Sequence, residues 1–460
     1  MKLSLKISLS NFKKALKRIS QALFSNTYSL DFDGSDARID TPAIDLGLEN
    51  TISFWAKRGS ANFFGMVWGG TSQSNYYVVY LPNNNKLMYR VGSGANTFSN
   101  SDIISAIGGS DWFHCALVRN NSGADVLCYI NGVLKETKTN IVGSANNTIV
   151  QNIGSRGPTP LDFEIEGQLD EMSLFNSALS AEQISNIYNS GTPTDLTDLS
   201  PTAWYRMGEN ASYKSPQWLI PNNSNKDKVS NYSLDFDGIN DKVSLTNLIP
   251  LGLTSISFWM KSTHSSGNDG VTFGLGGLNF VGTSPLVYLS GANYRYFANQ
   301  ASKFDGEWHH WFLLIAGSGQ SDITNSRLFV DGVEISSGTT ISSGTPSSWT
   351  SGQIGRGAYG YLNCSINNFA VWEGSDESAN VSTIYNSGTP NDISSLSPTV
   401  WLKMGEEATF SGGVWTVPDS VGSNNGASNG MTIEDRIGEA PNSENNALSY
   451  NMDLVDRTTD

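Results

Sequence analysis

The sequence predicts an all-β protein of two β-sandwich domains in tandem, and three observations predict it. The first is duplication. Residues 187–210, IYNSGTPTDLTDLSPTAWYRMGEN, return as 384–407, IYNSGTPNDISSLSPTVWLKMGEE, with 16 of 24 positions identical. YSLDFDG at 28–34 likewise returns at 232–238, TISFW at 51–55 as SISFW at 255–259, and DWFHCALV at 111–118 as EWHHWFLL at 307–314. CYINGV at 128–133 answers LFVDGV at 328–333, and GQLDEMSLF at 167–175 answers CSINNFAVW at 364–372. Self-similarity at a nearly fixed offset marks a copied structural unit. The second observation is that these segments alternate apolar and polar residues and end in Asp-Gly or Asn-Gly turns. The third is composition: 46 glycines and 15% charged residues suit short strands joined by turns.

In chain order, 11–24 comes first. Phe12, Leu16, Ile19 and Leu23 fall on one helical face, and Lys13, Lys14, Lys17 and Arg18 on the other, which predicts a basic amphipathic helix. Three readings of this arm stand open: an arm docking into an acidic groove of a partner assembly, a helix packed on the first domain, and a helix on a lipid surface. Strands follow at 28–33, 51–57, 112–118 and 126–130, with Asn131-Gly132 turning the chain. Residues 181–189 read as a short helix capped by Ser180, with Glu182 and Gln183 in its first turn. Phe54, Trp55, Trp112 and Phe175, with Phe258, Trp259, Trp308 and Trp372, are expected in the cores. The boundaries are a basic arm at 1–26, a first sandwich at 27–190, a linker with the WYRMGE strand at 191–230, a second sandwich at 231–390, and the WLKMGE strand with a polar C-terminal extension at 391–460.

The first 30 residues carry six cations and no acid, so the remaining 430 carry −21 against the chain's −15. A body that acidic repels nucleic acid. Nowhere do 18 apolar residues run together, and Lys6, Asn11, Lys13 and Lys14 interrupt what a signal peptide would need; a chain made in a cytoplasm is expected. Cys115, Cys128 and Cys364 are odd in number and unmatched between the copies, so buried free thiols are expected.

The ordered set LDFDG, TISFW, DWFHCALV, CYINGV and GQLDEMSLF, followed by SALSAEQISNIY, resembles a laminin-G-like, concanavalin A-like lectin/glucanase jelly roll. The second copy resembles it equally, and together they cover about residues 28–390. The resemblance implies a fold whose members bind glycans or proteins, cleave polysaccharide, or build. Tandem copies with SGTP-type linkers also resemble virion proteins of tailed marine phages.

A jelly-roll glucanase needs two carboxylates flanking one bond, conventionally E-x-D-x-x-E. No such spacing occurs. Glu164, Glu166, Asp170 and Glu171 come nearest, and the aligned segment 358–368 has no carboxylate. Solvation of a rim explains these acids better than catalysis. His114 and His310 align on a core strand and read as hydrogen-bonded core histidines. The resemblance further implies a structural calcium site where the D-G-x-x-D loop meets the last strand. Its candidates are Asp33, Asp36 and Asp170 in the first copy and Asp237 and Asp241 in the second; in the alternative, Asp33 and Asp237 cap turns.

These observations lead to a non-enzymatic protein: a virion decoration or fibre component made in a host cytoplasm. It would attach to other virion proteins or to copies of itself through the arm (Phe12, Lys13, Lys14, Leu16, Lys17, Arg18, Ile19 and Leu23) and the C-terminal extension. Surface glycans are candidate ligands. No nucleic acid or membrane partner is expected. The alternatives are an extracellular or cell-surface lectin or adhesin and, more remotely, a polysaccharide hydrolase.

Overall fold

The computed structural model describes residues 24–456 apart from 60–64, 71–76, 82–84, 93, 142, 144, 156–162, 215–216, 246–251, 266–267, 271–276, 291, 318–321, 344–351 and 358–359. Of the basic arm only Phe24, Ser25 and Asn26 are described, so the docking residues from Phe12 to Leu23 lie outside the described residues. The chain divides into two compact units. The first joins Met1–Tyr213, Gln217–Lys226 and Asn445–Asp460, and the second is essentially Asp227–Glu444.

Each unit is built on an eight-stranded antiparallel sheet. In the first, its path runs Val133–Lys138, Asp125–Ile130, Phe113–Asn120, Asn50–Arg58, Glu166–Phe175, Tyr28–Asp33 and Asp453–Asp456, with Ala203–Tyr205 also on Glu166–Phe175. The second repeats this order with Val333–Ile335, Arg327–Val330, Trp308–Ala316, Leu253–Lys261, Asn363–Glu373, Ser233–Asp237 and Arg436–Ile437, and with Val400–Leu402 on Asn363–Glu373. The WxxMGE strand therefore closes the domain that precedes it in sequence.

Both faces of the large sheet are covered. On one face Leu30, Phe54, Cys115, Leu117 and Leu169 meet the opposing strands, which include Gly65–Gly69 and Leu87–Val91. On the other, Ala116, Val118, Phe175 and Trp204 pack under the helix Ala181–Tyr188. Ser180 and Gln183 close a capping box at that helix's start, and Asn189, at φ 45°, ends it. The second unit repeats the arrangement with Phe312, Ala370, Trp372 and Trp401 under Val381–Tyr385. Two expected core aromatics differ: Trp112 and Trp308 are only partly buried, at the mouths of their strands.

A helix at Ser101–Gly108 was not expected. Its signal was present: Asn100 caps it, Asp102 sits in the first turn, and Ile103 and Ile107 are one turn apart on the buried side. The Asn131-Gly132 turn has positive φ at both positions, 50° and 76°, and Asp331-Gly332 matches it at 50° and 78°. That is the two-residue hairpin geometry such dipeptides favour.

The C-terminal extension needs correction. It is not an extension awaiting a partner. Thr409–Ser411, Val414–Val417 and Gly426–Asn429 complete a sheet of the second unit, pairing through Lys242–Leu245. Beyond them, Ala447–Tyr450 lies between Gln217–Ile220 and Arg38–Asp40, and Asp453–Asp456 pairs with Tyr28–Asp33, both in the first unit. Internal alignment explains this. Ser428 opposes Val243 and Ser449 opposes the equivalent Ile39. The Asn425 side chain accepts from the Asp419 N–H as Asn446 accepts from Asn222 N–H. Where the second unit has the loop 418–425, the first has residues 221–446, so the second unit is inserted in the last hairpin of the first. The segment NALSYNMD is thus the end of the first repeat.

Deleting Asn445–Asp460 is therefore expected to remove the buried Ala447, Leu448 and Met452 and to open two strand edges. The loss, about 5 kcal/mol or more, matches the whole stability of a typical domain. Calorimetry should show one cooperative transition where the full chain shows two; an unchanged melting profile would refute the inserted topology.

Candidate carbohydrate-contact surface

The duplicated WxxMGE motif proves to be a structural clamp. Glu406 Oε2 accepts the N–H groups of Asn231 and Tyr232, each at 2.9 Å, where the first strand of its unit begins. Glu209 does the same for Thr27 and Tyr28, the latter at 3.0 Å. The glycine before each Glu lies against that strand: a Cβ on Gly405 would stand 2.7 Å from the Ser233 nitrogen. Burial pushes the Glu406 carboxyl up, and the two N–H groups oppose that shift.

The two tryptophans of the motif meet different partners. In the first unit Trp204 Nε1 donates to Glu171 Oε2 at 2.6 Å, and Arg206 Nε and Asn26 Nδ2 donate to Oε1 at 3.1 and 2.6 Å. The Arg206 guanidinium lies 4.0 Å from the Phe24 ring centre, which fastens the end of the arm. In the second unit Asn368 replaces Glu171, and Trp401 Nε1 donates to its Oδ1 at 3.1 Å. Glu171 and Asn368 occupy the same bulge with φ of 46° and 47°.

The acids expected at a solvated rim are partly interior. Asp170 is 0% and Glu171 3% exposed. Burial pushes the Glu171 carboxyl up, while Arg206 and Trp204 stabilise its charge. A buried, gripped carboxylate has no access to a glycosidic bond, so Asp170 and Glu171 do not form the carboxylate pair a glycosidase requires.

His114 and His310 are fully buried. The Nε2 of each lies 2.8 Å from a serine hydroxyl, Ser53 and Ser257 respectively. Burial lowers both to about 3, so they are neutral at ordinary pH. They are core histidines, as expected. His309 is different: its Nδ1 lies 2.7 Å from Asp331 Oδ2 and its Nε2 3.2 Å from Asp305 Oδ1, and the Asp331 bond pushes its pKa up. Cys115, Cys128 and Cys364 are buried free thiols, with Cys115 and Cys128 on diagonal positions of adjacent strands.

The calcium candidates of the first copy do not converge, whereas Asp237 and Asp241 of the second lie side by side. Asp33 opposes Glu166, four strand positions from Asp170, which is about 13 Å at strand rise. Asp33 Oδ1 accepts from Ser35, Asp36 and Ala37, and although burial raises its pKa, these bonds hold it below the usual range. Asp36 is exposed. Asp237 Oδ1 accepts from Ile239 and Asn240, and Asp241 Oδ2 from the Asp237 N–H. Asn367, on the last strand, accepts from Ser230 and donates to the Tyr232 carbonyl instead. Among the described residues no group of three or more His, Cys, Asp or Glu is placed to hold a metal. Asp33 and Asp237 act as turn caps.

One acidic neighbour escaped the sequence. The pairing of Arg436–Ile437 with Ser233–Asp237 brings Asp435 close to Asp235, Asp237 and Asp241, all within the second unit. Burial, with repulsion from Asp435 and Asp237, raises Asp241 from 3.8 to about 6. Stability from this group is fully present below about pH 4 and is lost as pH rises through about 6. Asp241→Asn is therefore expected to stabilise the second unit by about 1 kcal/mol at pH 7–8, allowing for solvent screening, and to change nothing near pH 4. Melting curves across this range check it.

A cluster of partly exposed tyrosines is centred on the strand Ala292–Phe297. That strand belongs to a five-stranded sheet ordered Asn268–Gly270, Gly277–Val281, Ser284–Ser290, Ala292–Phe297 and Ser337–Ser343. Leu278, Phe280, Val287 and Phe297 point into the core. Tyr288 opposes Tyr294, and Tyr296 opposes Leu286, itself fully buried, on the other face. All three tyrosines are partly exposed, and the Tyr294 and Tyr296 rings meet edge to face at 5.6 Å. The first unit has a different aromatic pair at a hairpin, the exposed Tyr213 against the half-buried Trp218 at 5.4 Å. None of these residues was singled out from the sequence; Y-R-Y within a short alternating strand was the available signal.

Residues 33–185 and 236–382 match the family described as concanavalin A-like lectin/glucanases superfamily, laminin G type. The chain belongs to that family through two laminin-G-like domains. No curated protein matches it. A heptameric SAP-like pentraxin from Limulus polyphemus is 16% identical over 43% of this chain and 93% of its own, with a TM-score of 0.31. A putative carbohydrate-binding protein from Bacteroides ovatus is 11% identical over 43% of this chain and 56% of its own, at TM-score 0.34. Domains LG4-5 of the mouse laminin α1 chain are 12% identical over 76% of this chain and 88% of their own, at TM-score 0.27.

Proposed function

We propose that this is a non-catalytic glycan-recognition protein that contacts sugars through the tyrosine face of its second unit, and that it serves as a decoration or fibre component of a virion. The observation that carries the glycan reading is the group Tyr288, Tyr294 and Tyr296, partly exposed on one face of a sheet whose other face carries Val287 and Phe297 into the core. Aromatic faces stack on the C–H faces of pyranose rings, and phenol hydroxyls meet sugar hydroxyls, at little entropic cost. The burial of Asp170, Glu171, His114 and His310 supports a non-catalytic role, because each is held in the interior by a partner of its own chain. The virion setting draws support from the contrast between a cationic arm and an acidic body, which suits a handle followed by displayed domains.

Replacing both Tyr294 and Tyr296 by Ala is expected to weaken glycan binding at least tenfold, about 1.4 kcal/mol, with little change in melting temperature. An array on which the intact protein gives only background signal would sink the glycan reading, and reducing-sugar release from a β-glucan would sink the non-catalytic one. For the virion role, deleting residues 1–26 should abolish incorporation into purified particles and leave sugar binding intact. Undiminished incorporation would remove the arm as the attachment.

A further inference from the structure

The other side of the strand Ala292–Phe297 borders a cleft of ≈ 450 Å³, lined by Arg295, Phe297, Ser326, Arg327, Glu334 and Ser337 among others. That size falls within the usual range for small-ligand sites. The two arginines differ in what they hold. Arg327 is engaged: Nε and Nη2 grip the two oxygens of Glu334 at 2.8 and 2.7 Å, and Nη1 donates to Ser378 at 2.9 Å. The Arg327–Glu334 pair is neutral. Arg295 makes one long contact, Nη1 to the Ile323 carbonyl at 3.5 Å, and its buried Nε has no acceptor among the described residues. The Phe297 ring lies 5.8 Å away. The cleft thus sets two guanidiniums against the one carboxylate of Glu334, which also attracts Arg295, and so carries a net positive charge beside serine hydroxyls in a chain whose net charge is −15.

We propose that this cleft binds the carboxylate of an acidic sugar unit, a uronate or another carboxylated sugar, with Arg295 as its anchor. The guanidinium fork is planar and matches two carboxylate oxygens at once, whereas a sulfate ester presents a tetrahedral set. Serine hydroxyls on the lining offer donors and acceptors for ring hydroxyls. The described residues of the first unit differ at the matching place. There Lys138 pairs with Glu136 at 2.6 Å near Phe98, and Glu136 also takes the Ser99 and Asn100 N–H groups. Its own open cleft, of ≈ 520 Å³, is lined by Asp45 and Glu49 with no cation. An acidic sugar is therefore assigned to this cleft of the second unit. This assignment rests on the glycan reading above and extends it to a ligand class.

Titration calorimetry on the full chain tests it with a glucuronate-terminated disaccharide, its neutral glucose counterpart and the glucose 6-sulfate analogue. The carboxylated sugar is expected to bind at least about tenfold tighter than the neutral one, and Arg295→Gln to lose at least about tenfold with an unchanged melting temperature. Should Arg295→Gln misfold, Arg295→Lys carries the test, because it keeps the charge and loses the fork; a loss of about threefold or more is expected. Equal binding of neutral and carboxylated sugars, tighter binding of the sulfated analogue, or indifference to both Arg295 variants would overturn the proposal. Binding of neutral glycans that depends on Tyr294 and Tyr296 but ignores Arg295 would overturn this site and spare the glycan reading. Binding through Arg295 with silent tyrosine variants would do the reverse.

Discussion

An open sheet edge leaves a row of backbone N–H and C=O groups seeking partners, and the fold of the first unit is governed by how it closes one. Tyr28–Asp33 lies between Glu166–Phe175 on one side and Asp453–Asp456 on the other. The second partner is among the last residues of the chain. The first unit therefore cannot finish its large sheet until the whole second unit has been made. The second unit closes its corresponding edge with Arg436–Ile437, within its own stretch of chain. The two halves share an architecture and differ in contact order, so the first is expected to be the slower to complete.

Much of this was legible in residues. The alternation of Leu30 and Phe32 with Asp31 and Asp33, the Asn131-Gly132 and Asp331-Gly332 turns, and the Ser180 cap each specify local geometry by themselves, and each appears as expected. What escaped is information that depends on pairing at long range. Ala447–Tyr450 has only a few apolar residues and reads alone as a polar tail; its partner strands, Arg38–Asp40 and Gln217–Ile220, lie hundreds of residues upstream. Trp112 and Trp308 failed as core residues for a related reason. An aromatic at the first position of a strand can sit at the rim, and hydrophobic identity does not reveal which end of the sheet it occupies.

The candidate site was the least legible part. Site-hunting by residue type picked carboxylates and histidines, and most of these turned out to be turn caps or interior groups. The surface with ligand chemistry is carried by tyrosines and one arginine on a strand whose neighbours in the chain are unremarkable in composition. Its significance comes from alternation: Tyr294 and Tyr296 share one face, and Arg295 and Phe297 point to the other side. Duplication sharpens the contrast. Copies that keep the clamp glutamates Glu209 and Glu406 and the interior histidines have exchanged Glu171 for Asn368 and Arg206 for Lys403. The frame is constrained by strand pairing, and the edges are free to diverge.

Strong overall acidity and a cationic cleft are compatible because screening limits the reach of charge. At physiological ionic strength the Debye length is about 8 Å, so a small ligand in the cleft responds chiefly to Arg295, Arg327 and Glu334. A long polyanion lying across the surface would meet the many exposed acids of the body as well. On the proposal above, a locally cationic cleft can favour a single carboxylate within an acidic body without any change in net charge. A preference for short acidic ligands over extended ones would then follow from where the Arg295 guanidinium stands, beside the Arg327–Glu334 pair, rather than from the sum of charges along the chain.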